Sequence, residues 1–142
     1  MVSEIIVFGA TGNTGVQICE KLNALNMRHS AFVRKGSESK INTELTLVVE
    51  GDVLKKTEVE KALKGQAYTD IILALGSRDL KATNIRSTGT KNIVDVLKEN
   101  SLKAKVHIIS AHGVGDSWSR LKWYEKWISK LFLGNTMKDH EL

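Results

Sequence analysis

The sequence predicts an α/β fold, a doubly wound parallel sheet of about five strands in the order 3-2-1-4-5. Three observations carry that reading. Short apolar runs recur along the chain at Ile5–Phe8, Ser30–Val33, Leu45–Val49, Asp70–Leu75 and Lys105–Ser110. Stretches of helical period alternate with these runs, as βαβ units require. The first run leads directly into the glycine-rich turn Gly9-Ala10-Thr11-Gly12-Asn13-Thr14-Gly15.

Ile5–Phe8 is apolar without interruption and largely β-branched or aromatic, which suits a strand buried on both faces. A helix follows over about Gly12 to Asn26, with Val16, Ile18, Cys19, Leu22 and Leu25 at helical spacing. A glycine turn between strand and helix is the setting in which backbone amides and a helix dipole receive a diphosphate. One glycine permits the turn, one lets the phosphates approach, and one lets the helix pack close to the strand. Gly12 is expected to hold a φ that only glycine adopts readily. The spacing is G-x-x-G-x-x-G, and Val16 stands where a P-loop would place lysine. Such turns also serve purely structural ends, but the flanking strand and helix favour a ligand.

The second strand ends at Arg34-Lys35-Gly36-Ser37, with Arg34 lying 19 residues beyond Gly15. At about that separation an acidic residue holds the ribose 2′-hydroxyl of NAD, whereas arginine accommodates the 2′-phosphate of NADP. Arg34 and Lys35 therefore favour NADP(H), the other reading being a merely basic loop. The third strand runs into Glu50-Gly51-Asp52-Val53. Asp52 suits a hydrogen bond to an adenine amino group, and equally the N-cap of a helix over about Lys56 to Lys64. After the fourth strand, Leu75, Gly76 and Ser77 fall where strand order reverses, against the cofactor's ribose and diphosphate. A helix is expected from Thr83 to about Asn100, then a fifth strand closing at Ser110.

Composition narrows the class. The 142 residues fit one domain, and 42% hydrophobic with 26% charged residues is ordinary for a globular protein. The net charge of +5 favours anionic ligands. No nucleic-acid motif accompanies it, so no nucleic-acid partner is expected, and a solvated basic surface is the plain alternative. A single cysteine, Cys19 on the apolar side of the first helix, suits a reduced, cytoplasmic setting. No apolar run approaches the roughly 20 residues of a membrane span, and Glu4 interrupts the only N-terminal apolar stretch.

Gly9–Gly15, Glu50–Val53, Ser87-Thr-Gly-Thr-Lys-Asn92 and Ser110-Ala-His-Gly-Val-Gly-Asp-Ser117 together resemble the atypical short-chain dehydrogenases with an NAD(P)H-binding domain. Flavin reductase (biliverdin-IX beta reductase) and the NmrA-like regulators are similar over nearly the whole chain. The resemblance implies a Rossmann fold. It also implies NADP contacts through Gly9, Thr11, Gly12, Asn13, Thr14, Arg34, Asp52, Val53, Leu75 and Gly76. A substrate would lie over the nicotinamide near Ser110 and His112. The Tyr-x-x-x-Lys pair of classical members is absent, since Ile128 follows Tyr124 at that spacing and Ile72 follows Tyr68. The resemblance further implies one NAD(P)-binding domain over 1–142, ending short of the sixth strand and substrate-side loops of its relatives.

Reducing a flavin needs a hydride at one ring nitrogen, with a proton drawn from water, so positioning matters more than an acid/base pair. Ser110 or His112 could donate to the substrate, while His112 could equally be a loop residue bonded to backbone. His107 reads as structural. Trp118, Leu121, Tyr124, Trp127, Ile128, Leu131 and Phe132 form an aromatic stripe at helical spacing. Packing beside a substrate cleft is preferred over membrane contact, and partial exposure of the stripe would favour self-association. Two classes of function remain: an NADPH-dependent reductase of a flavin-like or other small electrophile, or an NADP(H)-sensing module without turnover.

Overall fold

The computed structural model describes residues 4–41, 44–76 and 84–109. Five strands, β1 (Ile5–Phe8), β2 (His29–Val33), β3 (Thr46–Glu50), β4 (Asp70–Leu73) and β5 (Lys105–Ile108), form one sheet. Its order is β3-β2-β1-β4-β5 and every pairing is parallel. The expected order 3-2-1-4-5 is therefore the one formed. Ile5 stands opposite His29 on one side and Asp70 on the other, which makes β1 the central strand.

Because successive side chains of a strand point to opposite faces, β1 supplies two apolar layers at once. Ile6 and Phe8 join Phe32, Ile71 and Leu73 beneath α2 (Lys56–Leu63) and α3 (Ile85–Glu99), which contribute Val59, Leu63, Ile93 and Val96. Val7 joins Ala31, Val33 and Ile41 under α1 (Asn13–Ala24), which contributes Cys19 and Leu22. Phe8 and Phe32 tilt against each other with ring centroids 4.6 Å apart. Burial raises the Cys19 thiol to about 11. Polar side chains are sealed inside as well, among them Ser30, His29 and Tyr68. The Tyr68 hydroxyl donates to Ser30 Oγ at 3.0 Å, and His29 Nδ1 donates to the Met27 carbonyl at 3.0 Å.

Helix boundaries differ slightly from expectation, for local reasons. The first helix stops at Ala24, not Asn26, because Leu25 caps it and Asn26, the next residue, adopts φ 54°. Met27 N then bonds Leu22 O at 2.9 Å and Asn26 N bonds Asn23 O at 2.9 Å, a left-handed closure that satisfies the last carbonyls. Ser101 (φ 52°) ends α3 in the same way, with Leu102 N on Leu97 O at 2.9 Å. The fourth strand ends at Leu73, not Leu75, although Ala74 N still donates to Phe8 O at 2.9 Å. No helix among the described residues is long and apolar enough to cross a membrane.

Candidate functional site

The carboxyl ends of β1, β2, β3 and β4 surround a cleft of about 560 Å3. Its position is where strand order reverses, the usual ligand crevice of open α/β sheets.

The three glycines of the first turn divide the work. Gly9 has φ +78°, and a side-chain carbon on it would collide with the Ala74 carbonyl, whose carbon is only 2.7 Å from that position. A carbon on Gly15 would lie 2.8 Å from Ala10 Cα and would strike the Gly9 carbonyl, so Gly15 lets α1 start against the end of β1. Gly12 differs: it has an ordinary extended backbone at φ −75°, and its missing side chain would meet only Gly9 O at 3.3 Å. The expected glycine-only φ thus belongs to Gly9 and not to Gly12, since Gly9 is where the chain reverses to let Gly12 N bond Gly9 O at 3.0 Å. Gly12 lines the cleft, so its lack of a side chain keeps that wall open.

At the end of β2, Ser37 N bonds Arg34 O at 3.0 Å across a turn in which Gly36 takes φ +83°. A short 3₁₀ turn (Glu38–Lys40) follows. Together they bring Arg34, Ser37 and Lys40 to the cleft, while Lys35 is exposed and outside its lining. Glu38 lies in the same loop and accepts from Gly36 N at 2.7 Å. Its own backbone amide, and then that of Gly36, hold its carboxyl below the usual carboxylate range.

Beyond β3, Gly51 makes room for Phe32, whose Cζ lies 2.5 Å from where a Gly51 side-chain carbon would stand. Asp52 does not cap α2; Lys55 occupies that position. The Asp52 carboxylate instead accepts Leu54 N at 3.0 Å, and Glu58 reaches back to accept Asp52 N at 2.7 Å. The chain needs three further residues to turn into the helix, so the aspartate closes the loop instead. Beyond β4, Arg86 Nε donates to Leu75 O at 3.0 Å. Gly89 lets α3 come within 2.8 Å of Leu75 Cδ1 and 3.1 Å of Val53 Cγ2, measured to the side-chain carbon it lacks.

Of the residues expected from sequence, Gly9, Thr11, Gly12, Asn13, Thr14, Arg34, Val53, Leu75 and Gly76 line this one cleft. Gly15 is buried behind it, and Lys35 and Asp52 stand outside its lining. Ser77, Ser110, His112 and the aromatic stripe lie outside the described residues. Lys40, Phe32, Ile85 and Arg86 line the cleft without having been expected. Arg34, Lys40 and Arg86 make its wall cationic, and no carboxylate is among its described lining residues. His107 is remote, on β5, with Nε2 2.8 Å from Asp70 Oδ1. That bond, then one from Thr69, holds the Asp70 carboxyl below its usual range.

Sheet order and crevice define a Rossmann-like α/β protein of the nucleotide-binding kind. The chain belongs to the NAD(P)H-binding family, whose model matches residues 9–142, and a nicotinamide dinucleotide is its cofactor class. Solved structures agree in fold. ChuY, an anaerobilin reductase of Escherichia coli O157:H7, superimposes with TM-score 0.70 at 20% identity, over 95% of this chain and 64% of that one. A short-chain dehydrogenase/reductase of Veillonella parvula, in complex with NADP, gives 0.70 at 14% identity, over 98% and 62%. The Bordetella bronchiseptica enzyme WbmH, in complex with NAD+, gives 0.58 at 16% identity, over 72% and 37%. The chain thus spans less than two thirds of each relative's length.

Proposed function

We propose that the chain is the NADP(H)-binding domain of a cytoplasmic reductase that passes a hydride to a flavin-like or other small electrophilic acceptor. The observation that carries this reading is the joint presence of Arg34, Ser37 and Lys40 at the β2 end of the cleft. Two cations and a hydroxyl suit a dianionic 2′-phosphate, and the carboxylate that would select a free 2′-hydroxyl does not line that end. The open wall at Gly12 and the α1 N-terminus, whose first turn carries no acidic residue, suit the diphosphate. Phe32 and Val53 offer apolar surface to the adenine, and Asp52, next to Val53 in sequence though outside the lining, is the residue proposed for its amino group.

Bound NADPH supplies the hydride. The chain's part would be to hold the dinucleotide through the cleft residues at the ends of β2, β1 and β4, with Gly12, Asn13 and Thr14 at its phosphates. Ser110 and His112 follow β5 in sequence and complete the proposal as substrate-side hydrogen-bond donors, His112 being able to release a proton near neutral pH. An anaerobilin reductase among its structural neighbours supports a reductase over other nucleotide-binding roles.

The test is calorimetric titration with NADPH and NADH, followed by NADPH oxidation against a panel of flavins and quinones. Tighter NADPH binding with turnover of at least one acceptor is expected. Tight binding without turnover of any acceptor would favour the sensing module, and equal affinity for both cofactors would remove the 2′-phosphate assignment.

A further inference from the structure

Between β3 and α2 the chain runs through residues 51–55, which belong to neither element. Gly51 and Val53 of this segment line the cleft, whereas Glu58, in the first turn of α2, does not. Glu58 is nevertheless bonded to the segment at two points. Its Oε2 accepts the Asp52 amide at 2.7 Å and its Oε1 accepts Lys55 Nζ at 2.9 Å, so one carboxylate spans the turn from side to side. Lys55 first, and then the Asp52 amide, hold that carboxyl below its usual range, which keeps it charged. The turn is closed from within by Lys55 N on Asp52 O and Leu54 N on Asp52 Oδ1, each at 3.0 Å.

Gly51 explains why the segment needs such a clasp. A side-chain carbon on it would stand 2.5 Å from Phe32 Cζ and 3.5 Å from Glu58 Cβ, so the chain passes between these two side chains only as glycine. Glycine loses more conformational freedom on folding than any other residue, so bonds from outside must keep the segment on one path. Gly51 N donates to Val33 O at 2.8 Å, and the Val53 carbonyl accepts Asn92 Nδ2 at 2.9 Å. Glu58 fixes the residue between them.

We propose that Glu58 is a positioning residue for the adenine end of the dinucleotide, fixing the Gly51–Val53 wall before the ligand arrives. This role rests on the cleft being a dinucleotide site and deepens that reading. Glu58 acts through the Asp52 amide and touches no ligand atom itself. A wall that is already ordered spares the ligand the cost of ordering it, so the gain appears as affinity for ligands that carry adenine. The same clasp holds the turn in which Leu54 N orients the Asp52 carboxylate. Because the Val33 and Asn92 bonds remain when Glu58 is lost, the effect on affinity is moderate.

The experiment titrates the whole chain, and its Glu58→Ala and Glu58→Gln variants, with NADPH and adenosine 2′-monophosphate. The latter has the adenine and the 2′-phosphate but neither diphosphate nor nicotinamide. Thermal melting of each variant is the folding control, and the titrations are run well below each melting temperature. E58A is expected to weaken both ligands by the same factor, on the order of fivefold, the scale of one hydrogen bond. E58Q still offers an oxygen to the Asp52 amide and loses only an exposed ion pair, so its affinities should return to within about twofold of wild type. Should E58A fail to fold, E58D takes its place. The shorter side chain keeps the charge but falls short of the Asp52 amide, so both ligands should again weaken equally. Unchanged affinity in the variant that removes the clasp, loss confined to NADPH, or E58Q as weak as E58A would each overturn the role of Glu58. A wild-type chain that binds neither ligand would overturn the dinucleotide site itself, and the role of Glu58 with it.

Discussion

Asn92 on α3 donates from Nδ2 to the Val53 carbonyl at 2.9 Å, so a helix beneath the sheet holds a residue of the cleft wall. Val53 is buried and also packs where Gly89 lets α3 approach. Asn92→Ala would leave that carbonyl without its partner, at a cost of about 1–3 kcal/mol. Urea denaturation should show a loss of that size, and calorimetry a weaker dinucleotide. Unchanged stability would mean the bond contributes nothing.

The glycines give opposite outcomes. Gly15→Ala drives a methyl into the Gly9–Ala10 backbone and should destabilise the fold by about 1–3 kcal/mol or more. Gly12→Ala meets only Gly9 O at 3.3 Å, a clearance that a small backbone adjustment relieves. Its melting temperature should stay close to wild type, while NADPH affinity falls because the methyl enters the cleft. A Gly12→Ala chain that folds and binds normally would show that this wall is not where phosphates approach.

Arg34→Ala should weaken NADPH by about 1–3 kcal/mol, the scale of charge-assisted hydrogen bonds, and leave NADH nearly untouched. Lys40→Ala should do the same to a smaller degree. Combining the two should cost less than the sum, because both would share one phosphate. Parallel titrations of the three variants with both cofactors decide it, and equal losses for NADH would sink the assignment.

Cys19 supplies a pH test, being the chain's only cysteine. Its folded value of about 11 lies above the ordinary 9.0, because burial disfavours the thiolate. A raised value means stability that is fully present below pH 9.0 and is lost as pH climbs through about 11. Folded protein should therefore resist iodoacetamide at pH 8, where unfolded chain reacts readily. Rapid modification of folded protein would show that α1 opens on that timescale.

Much of this was readable from residue order because the determining signals are local. Ile5–Phe8 followed at once by three spaced glycines admits few alternatives, and each later strand announced itself by a short run containing apolar residues between polar or glycine-bearing stretches. Arg34 was legible for the same reason, lying at a fixed distance along a βαβ unit. Lys40 was not, since it reaches the cleft through a 3₁₀ turn that has no apolar period to betray it. Arg86 was equally hidden, being one cation among many until α3 is docked and its Nε meets Leu75 O. The positive φ falls on Gly9 and not on Gly12 because the turn reverses at Gly9 to bond Gly12 N to Gly9 O, and three regularly spaced glycines do not say which one sits at the reversal. Asp52 could be read as a cap because aspartate precedes helices so often, and only the chain path shows it closing an earlier loop.

The alternation of β1 has a consequence for how the domain opens. Ile6 and Phe8 are wholly buried in one layer and Val7 in the other, while the strand's amides and carbonyls pair on both sides. Neither layer can exchange its amide protons by a local opening that frees β1 without loosening the other. The strand is therefore expected to be the slowest-exchanging segment among the described residues, released only on global unfolding. Its last residue is also the first anchor of the glycine turn. A ligand held there would slow amide exchange on both faces of the sheet by one common factor, the factor by which it stabilises the folded state.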